Sequence, residues 1–241
     1  MNSKGFFITG TDTEIGKTLV AGALILRLRQ EGQSVAGYKP VVAGTYFNAQ
    51  GLKCNEDLET LRLASGTELS AEDICPYILD EPAAPHLVSN SSGAPLKLPE
   101  MIDGFERLSS QFDTVVVEGA GGFLVPINDH QGLDDLAVSL KLPVIVVVGM
   151  RLGCINHALL TIESIRSRGL DVAGWVANQI DPNMARASEN LDSLKARIKA
   201  PFLGLIPHLS DDLKKTDHAP YSWSAIEFAA KQLVPPKSSK H

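Results

Sequence analysis

Only three cysteines occur in 241 residues. Cys54, Cys75 and Cys154 stand far apart, with no C-x-x-C spacing, so neither a disulfide framework nor a zinc cluster is expected. An excess of positive charge is missing too. The 22 Lys and Arg are outweighed by 28 Asp and Glu, for a net charge of −6, and no local basic run relieves it. Proteins whose main partner is a nucleic-acid backbone are usually basic, so no nucleic-acid partner is expected. Long apolar runs are absent: the longest, Val144–Val148, is far below the roughly 18 residues of a membrane span. Met1–Gly10 lacks the charged, apolar and small-residue regions of a signal peptide. These absences together imply a cytoplasmic protein with no membrane attachment. The 44% hydrophobic and 21% charged content matches an ordinary soluble globule. We expect one domain over residues 1–234 and a disordered tail over 235–241.

What the chain does contain is an alternation of short β-rich runs and longer helical patterns. Strands are predicted at Gly5–Thr9, Val35–Val42, Thr114–Glu118, Val144–Val148, Val172–Asn178 and Phe202–Ile206. Helices are predicted at Lys17–Gln30, Asp57–Ala64, Pro99–Gln111, Leu133–Leu140, Asn156–Arg168 and Ala185–Lys199. Several strands are apolar without alternation, as strands covered on both faces are. The pattern predicts an α/β fold: a doubly wound, mostly parallel sheet with helices on both faces. Pro76–Pro99, rich in Pro, Ser and Gly, reads as a long surface excursion. Ligands of such sheets bind at the carboxyl ends of the strands.

Strand one runs directly into Gly10-Thr11-Asp12-Thr13-Glu14-Ile15-Gly16-Lys17-Thr18, followed by a helical pattern. This is the context of a phosphate-binding P-loop. Backbone N–H groups at the helix start would face phosphate, Lys17 would neutralise the β and γ oxygens, and the Thr18 hydroxyl would take one Mg²⁺ position. Five residues rather than four separate Gly10 from Gly16, and Glu14 is an unusual anion in an anion-binding loop. Strand two ends in Lys39-Pro40, placing a second cation near the transferring phosphoryl group. Strand three ends at Glu118, followed by Gly119-Ala120-Gly121-Gly122. An acid there suits a Mg²⁺-binding carboxylate, and the small residues allow close approach of backbone to ligand. Other positions are open. Asp57 reads as the N-cap of its helix from spacing alone. Asn156, in Cys154-Ile155-Asn156-His157, is either a cap or part of a carboxylate site. Asn178 is either a reader of a base edge or a turn residue.

Taken together, these residues resemble the dethiobiotin synthetase family of P-loop proteins. The resemblance rests on ITGTDTEIGKT (Ile8–Thr18), GYKPV (Gly37–Val41), VEGAGG (Val117–Gly122), LGCINHALLT (Leu152–Thr161), GWVAN (Gly174–Asn178) and LGLIP (Leu203–Pro207), in order along nearly the whole chain. It implies ATP- and Mg²⁺-dependent joining of CO2 to the two amines of 7,8-diaminononanoate, through a carbamate and a carbamic–phosphoric anhydride. The product is the cyclic urea dethiobiotin, an intermediate of biotin synthesis. It further implies that Lys39 and Lys17 act in catalysis. Thr18, Asp57 and Glu118 are the implied metal-linked residues. The ATP contacts implied are Glu14, Ile15, Gly16, Lys17, Thr18, Leu19, Asp57, Glu118, Gly119, Ala120 and Gly121, with Asn178, Gln179, Pro207, His208 and Leu209 about the adenine. Thr13, Ala43 and Asn156 fall on the substrate side, Asn156 across a homodimer interface.

Two positions depart from the family pattern. Ala43 stands where relatives carry Ser or Thr, removing a hydroxyl on the substrate side. Glu56, just before Asp57, competes with it as the metal-linked acid. Among rival readings, amide synthetases with a similar ATP-binding half need a second, ammonia-delivering domain, for which 241 residues leave no room. ATP-driven partitioning switches carry a signature lysine where this loop has Asp12. A paralogue that keeps ATP but has lost the original substrate stays open, with Ala43 as its one hint.

Overall fold

The computed structural model describes residues 4–216 and 218–236. From residue 237 on, the expected tail lies outside the described residues. The chain begins β1 (Gly5–Gly10), α1 (Lys17–Gln30), β2 (Val35–Tyr38), β3 (Val41–Ala43), β4 (Tyr46–Phe47), β5 (Lys53–Cys54) and α2 (Glu56–Ser65). It continues α3 (Ala71–Ile74), β6 (Tyr77–Leu79), α4 (Pro85–Ser92), α5 (Leu98–Gln111), β7 (Thr114–Glu118) and α6 (Leu133–Leu140). The last third holds β8 (Val144–Gly149), α7 (Cys154–Ser167), β9 (Val172–Asn178), α8 (Ala187–Arg197), β10 (Phe202–Ile206) and α9 (Trp223–Lys231).

Six strands form the main sheet in the order β10-β9-β8-β1-β7-β2, every pair parallel. All residues of β7 and of β8 are buried. Successive side chains of a strand point to opposite faces, so this burial requires cover on both sides. Helices α1 and α5 both pack on β7; α1 also packs on α2 and α9, and α5 on α6. The expected doubly wound α/β architecture is therefore present. Its core is one apolar cluster that includes Ile8, Val116, Val146, Leu19 and Trp175. No helix among the described residues is long and apolar enough to cross a membrane.

The single strand expected over Val35–Val42 is in fact two. β2 ends at Tyr38, and β3 pairs in parallel with β6 in a separate two-stranded sheet. Proline has no N–H for the ladder, and the Lys39 N–H already leaves the main sheet to donate to the Ile74 carbonyl at 2.9 Å. The chain thus turns out of the sheet at Lys39-Pro40. The Pro76–Pro99 excursion also holds regular structure, β6 and α4, the latter with Pro85 in its first turn and Gly93 closing it. Proline at a helix start and glycine at its end give a short helix its boundaries without an extended apolar stripe. Helix α9 was not expected. Ser222 caps it by accepting from the Ala225 N–H, and it buries Ala225, Ile226, Ala229 and Ala230, a stripe of mainly small residues.

Candidate functional site

The turn between β1 and α1 wraps an anion-binding concavity. Glu14 has φ 57° and Gly16 φ 84°, and alternation of this kind points successive N–H groups inward. Gly16 is held to glycine by its positive φ and by Asn178: a Cβ there would lie 2.3 Å from Asn178 Nδ2, which would have to move. Gly16 is also the N-cap of α1, no side chain caps the helix, and its first turn has no acid. The orphan N–H groups and the positive end of the helix are thereby left for an anion. Lys17 Nζ donates to the Asp12 carbonyl at 2.8 Å. Ile15 is buried at 1% exposure and anchors the turn to the core.

Three further strand and helix ends meet the turn. Lys39, at the break after β2, and Glu118, at the end of β7, are 4% and 0% exposed. Asp57 lies in the first turn of α2, whose N-cap is Asn55: its side chain accepts from the Asp57 and Leu58 N–H groups. The expectation that Asp57 caps the helix is thus corrected, and its carboxylate is free to face the loop. Lys39 Nζ donates to Asp57 Oδ2 and Glu118 Oε1, both at 2.6 Å. The Thr18 hydroxyl contacts the same two carboxylates, Asp57 Oδ1 at 2.8 Å and Glu118 Oε1 at 2.7 Å. Glu56, which also lines the cleft, pairs instead with Lys215 Nζ at 2.8 Å. Of the two adjacent acids, Asp57 is therefore the one that reaches Thr18 and Lys39.

Electrostatics follow from this packing. Burial alone would raise Asp57, but the Lys39 ammonium and the hydrogen bonds from Lys39 and Thr18 hold it down at about 2. Burial alone would lower Lys39, yet Asp57 and Glu118 keep it above its ordinary value. Burial pushes Glu118 up, against the pull of Lys39. Lys17, desolvated and facing Lys39, falls to about 8. Because the folded Asp57 value lies below the ordinary 3.8, its contribution to stability is present above pH 4 and lost as the pH falls toward 2. Between pH 5 and 2.5 the unfolding free energy is expected to fall by about 1–2 kcal/mol more in the native chain than in Asp57→Asn, read from denaturant titrations. Parallel pH profiles would show that Asp57 is not held down by Lys39.

These groups line one side of a cleft of about 1190 Å³ at the carboxyl ends of the central strands. Thr13, Glu14, Gly16, Lys17, Thr18, Leu19, Lys39, Ala43, Asp57, Glu118, Ala120, Gly121, Asn178, Gln179, His208 and Leu209 all face it. Ile15, Gly119, Pro207 and Asn156 do not. Gly119 and Pro207 sit directly beside lining residues, while Asn156 is elsewhere. Helix α7 starts at Cys154 after Gly153, so Asn156 does not cap it, and its side chain is exposed. Asn178 lines the cleft at 7% exposure, and its Nδ2 donates to the Ile15 carbonyl at 2.7 Å, tying β9 to the phosphate turn. His208 Nδ1 lies 3.2 Å from the Gln179 carbonyl.

Several lining residues had no signal in the sequence. Pro82, Ala83 and Ala84 enter from the loop before α4, Pro85 from its first turn, and Lys214, Lys215, Thr216, His218 and Tyr221 from the segment before α9. That segment is fastened by the Lys215–Glu56 pair and by the Tyr221 N–H donating to Thr60 Oγ1 at 3.0 Å. Neither segment has a motif, and both reach the cleft only through tertiary packing.

Comparison with known proteins agrees with this geometry. A family model described as an AAA domain matches residues 4–215. The chain is 51% identical over 207 residues to the ATP-dependent dethiobiotin synthetase BioD of Aromatoleum aromaticum, covering 86% of this chain and 92% of the relative. The chain belongs to the dethiobiotin synthetase family. The same-named protein of Ralstonia nicotianae is 49% identical over 203 residues, covering 84% of this chain and 88% of its own. Among solved structures, the MinC:MinD cell division complex of Aquifex aeolicus matches with a TM-score of 0.53 at 15% identity, covering 95% and 94% of the two chains. A ParA family ATPase of Chlorobium tepidum matches with 0.52 at 16% identity, covering 87% of each. At such identities these two likenesses show the P-loop fold alone.

Proposed function

We propose that this member of the dethiobiotin synthetase family closes the cyclic urea of dethiobiotin from 7,8-diaminononanoate, CO2 and ATP in the cytoplasm. The observation that carries the reading is the meeting of Lys17, Thr18, Lys39, Asp57 and Glu118 at one phosphate-binding turn. In the reaction, one amine nitrogen attacks CO2 and loses a proton, giving a carbamate. A carbamate oxygen then attacks the γ-phosphorus, the bond to the bridging oxygen breaks, and ADP leaves. The second amine attacks the carbamoyl carbon, phosphate departs, and a second proton is released. No protein group becomes covalently attached, so the chain's task is to position the reactants and neutralise charge. Lys17 and the N–H groups of the turn hold the phosphates; Lys39 meets the charge that passes from carbamate to phosphoryl group. Glu14, Leu19, Ala120 and Gly121 border the phosphate path, and Asn178, Gln179, His208 and Leu209, with Pro207 behind them, border the base.

The residues at the turn also fit Mg²⁺. All donors are hard oxygens, from Thr18, Asp57 and Glu118. Glu118 Oε2 is buried with no hydrogen-bond partner among the described residues. Two carboxylates and one hydroxyl would leave the remaining positions of the ion to phosphate and water. When bound, Mg²⁺ would offset the charge of the β and γ phosphates.

Thr13 and Ala43 line the cleft, and the reading assigns them to the diamine. Placing a hydroxyl there with Ala43→Ser is expected to lower KM for the diamine severalfold with kcat little changed; an unchanged or higher KM would mean that the pocket does not use it. Asn156 completes the reading only in a homodimer. Its exposure in the first turn of α7, beside Leu152 at 92% exposure, supports a paired surface there, and light scattering in solution tests it. The central experiment is phosphate release from ATP with Mg²⁺, bicarbonate and 7,8-diaminononanoate, each omitted in turn. Release that requires all four, with the cyclic urea found by mass spectrometry, is the expected result. ATP turnover indifferent to the diamine would instead indicate a repurposed ATPase.

A further inference from the structure

The phosphate turn carries an acid whose charge opposes the ligand the turn is built to hold. Asp12 is its second residue after Gly10. Its Oδ1 accepts from the Thr13 N–H at 2.7 Å, and its own carbonyl accepts from Lys17 Nζ at 2.8 Å. The side chain pins the turn, and its negative charge sits one residue from the cleft-lining Thr13. The remaining oxygen, Oδ2, is taken by the guanidinium of Arg151. Arg151 comes from the loop after β8, the strand beside β1 in the sheet, and does not itself line the cleft.

We propose that Arg151 is a positioning residue for the nucleotide: by neutralising Asp12 it lets the turn keep a side-chain acceptor for Thr13 without repelling the triphosphate. The argument separates two properties of Asp12. Asparagine offers the same Oδ1 to the Thr13 N–H and no charge, so only the charge requires Arg151. Removal of one partner from an ion pair leaves the other uncompensated, whereas removal of both does not. Arg151 and Asp12 are 43% and 41% exposed, so the uncompensated charge would remain partly screened by solvent. The loss is correspondingly moderate and dependent on salt.

The proposal rests on the reading of this cleft as an ATP site, and the experiment separates the two. Binding of Mg²⁺–ATP is measured by calorimetry for the native chain, Arg151→Gln, Asp12→Asn and the double variant, at low and high salt, with folding checked by circular dichroism. If the native chain binds no ATP, the nucleotide reading fails first. Given native binding, Arg151→Gln is expected to weaken ATP tenfold to a hundredfold at low salt and less at high salt. Adding Asp12→Asn is expected to restore affinity to within a few-fold of native. Unchanged affinity in Arg151→Gln overturns the proposal, as does a loss that Asp12→Asn fails to restore, since Arg151 would then act by another route. Should Arg151→Gln fold poorly, Arg151→Lys serves: it keeps the charge, and affinity near native is expected, while a tenfold loss in this folded variant overturns the role of charge.

Discussion

Exchange of Lys39 for Gln is expected to reduce turnover by a factor of about a hundred to a thousand, while ATP affinity stays within a few-fold. Loss of one preorganised donor at a developing oxyanion has this order of effect, and ATP would still have the turn, the helix start and Lys17. The same substitution is expected to destabilise the free protein by about 3–5 kcal/mol, because it leaves two carboxylates, Asp57 and Glu118, without their cation in a buried place. Mg²⁺ with ATP would return positive charge to those oxygens and narrow the difference in stability. Steady-state kinetics, nucleotide titration and denaturation with and without Mg²⁺–ATP check the three parts. An unaltered kcat removes Lys39 from the reaction, and an unaltered free-protein stability removes it from the charge cluster.

Lys17→Met is expected to do the opposite to stability while also abolishing activity. Turnover should fall a thousandfold or more, with weakened ATP binding, since the β and γ oxygens lose their direct cation. Yet the free protein should gain on the order of 1 kcal/mol. Its folded value of about 8 lies below the ordinary 10.5, so the folded state holds this proton less tightly than the unfolded chain. The cost is present in full below pH 8 and is relieved as pH rises toward 10.5, so the gap between Lys17→Met and the native chain should close over that window. Bound phosphate would raise Lys17 again. ATP binding near pH 8–9 is therefore expected to take up protons, visible as a buffer-dependent binding enthalpy that Lys17→Met lacks. A destabilised Lys17→Met protein, or binding heats independent of buffer, would contradict this account.

The central strands and most helices are legible in the sequence because their causes are local. The apolar runs of β7 and β8 declare burial on both faces, and the glycine-bounded turn before Lys17 declares a helix start without a side-chain cap. The residues closing those strands, Lys39 and Glu118, could be singled out for the same reason. What was hidden is set by long-range packing. The order of the strands, the small sheet beyond Pro40 and the seating of Lys214, Lys215, Thr216, His218 and Tyr221 at the cleft depend on partners far away in the chain. Nor does spacing separate Asp57 from Glu56. Only the capping of α2 by Asn55 and the pairing of Glu56 with Lys215 tell which acid faces Lys39.

Strand β1 lies at the middle of the sheet, and both of its neighbours, β7 and β8, arise more than a hundred residues later. During synthesis the phosphate turn therefore leaves the ribosome attached to a strand that has no sheet neighbour until Thr114–Glu118 has followed, and only one until Val144–Gly149 has. Loop closure over such distances slows folding, and the unpaired apolar segment Phe6-Phe7-Ile8 stays exposed meanwhile. The phosphate turn is complete only after β9 has delivered Asn178 to it, so the first loop of the chain to be made is among the last to be finished.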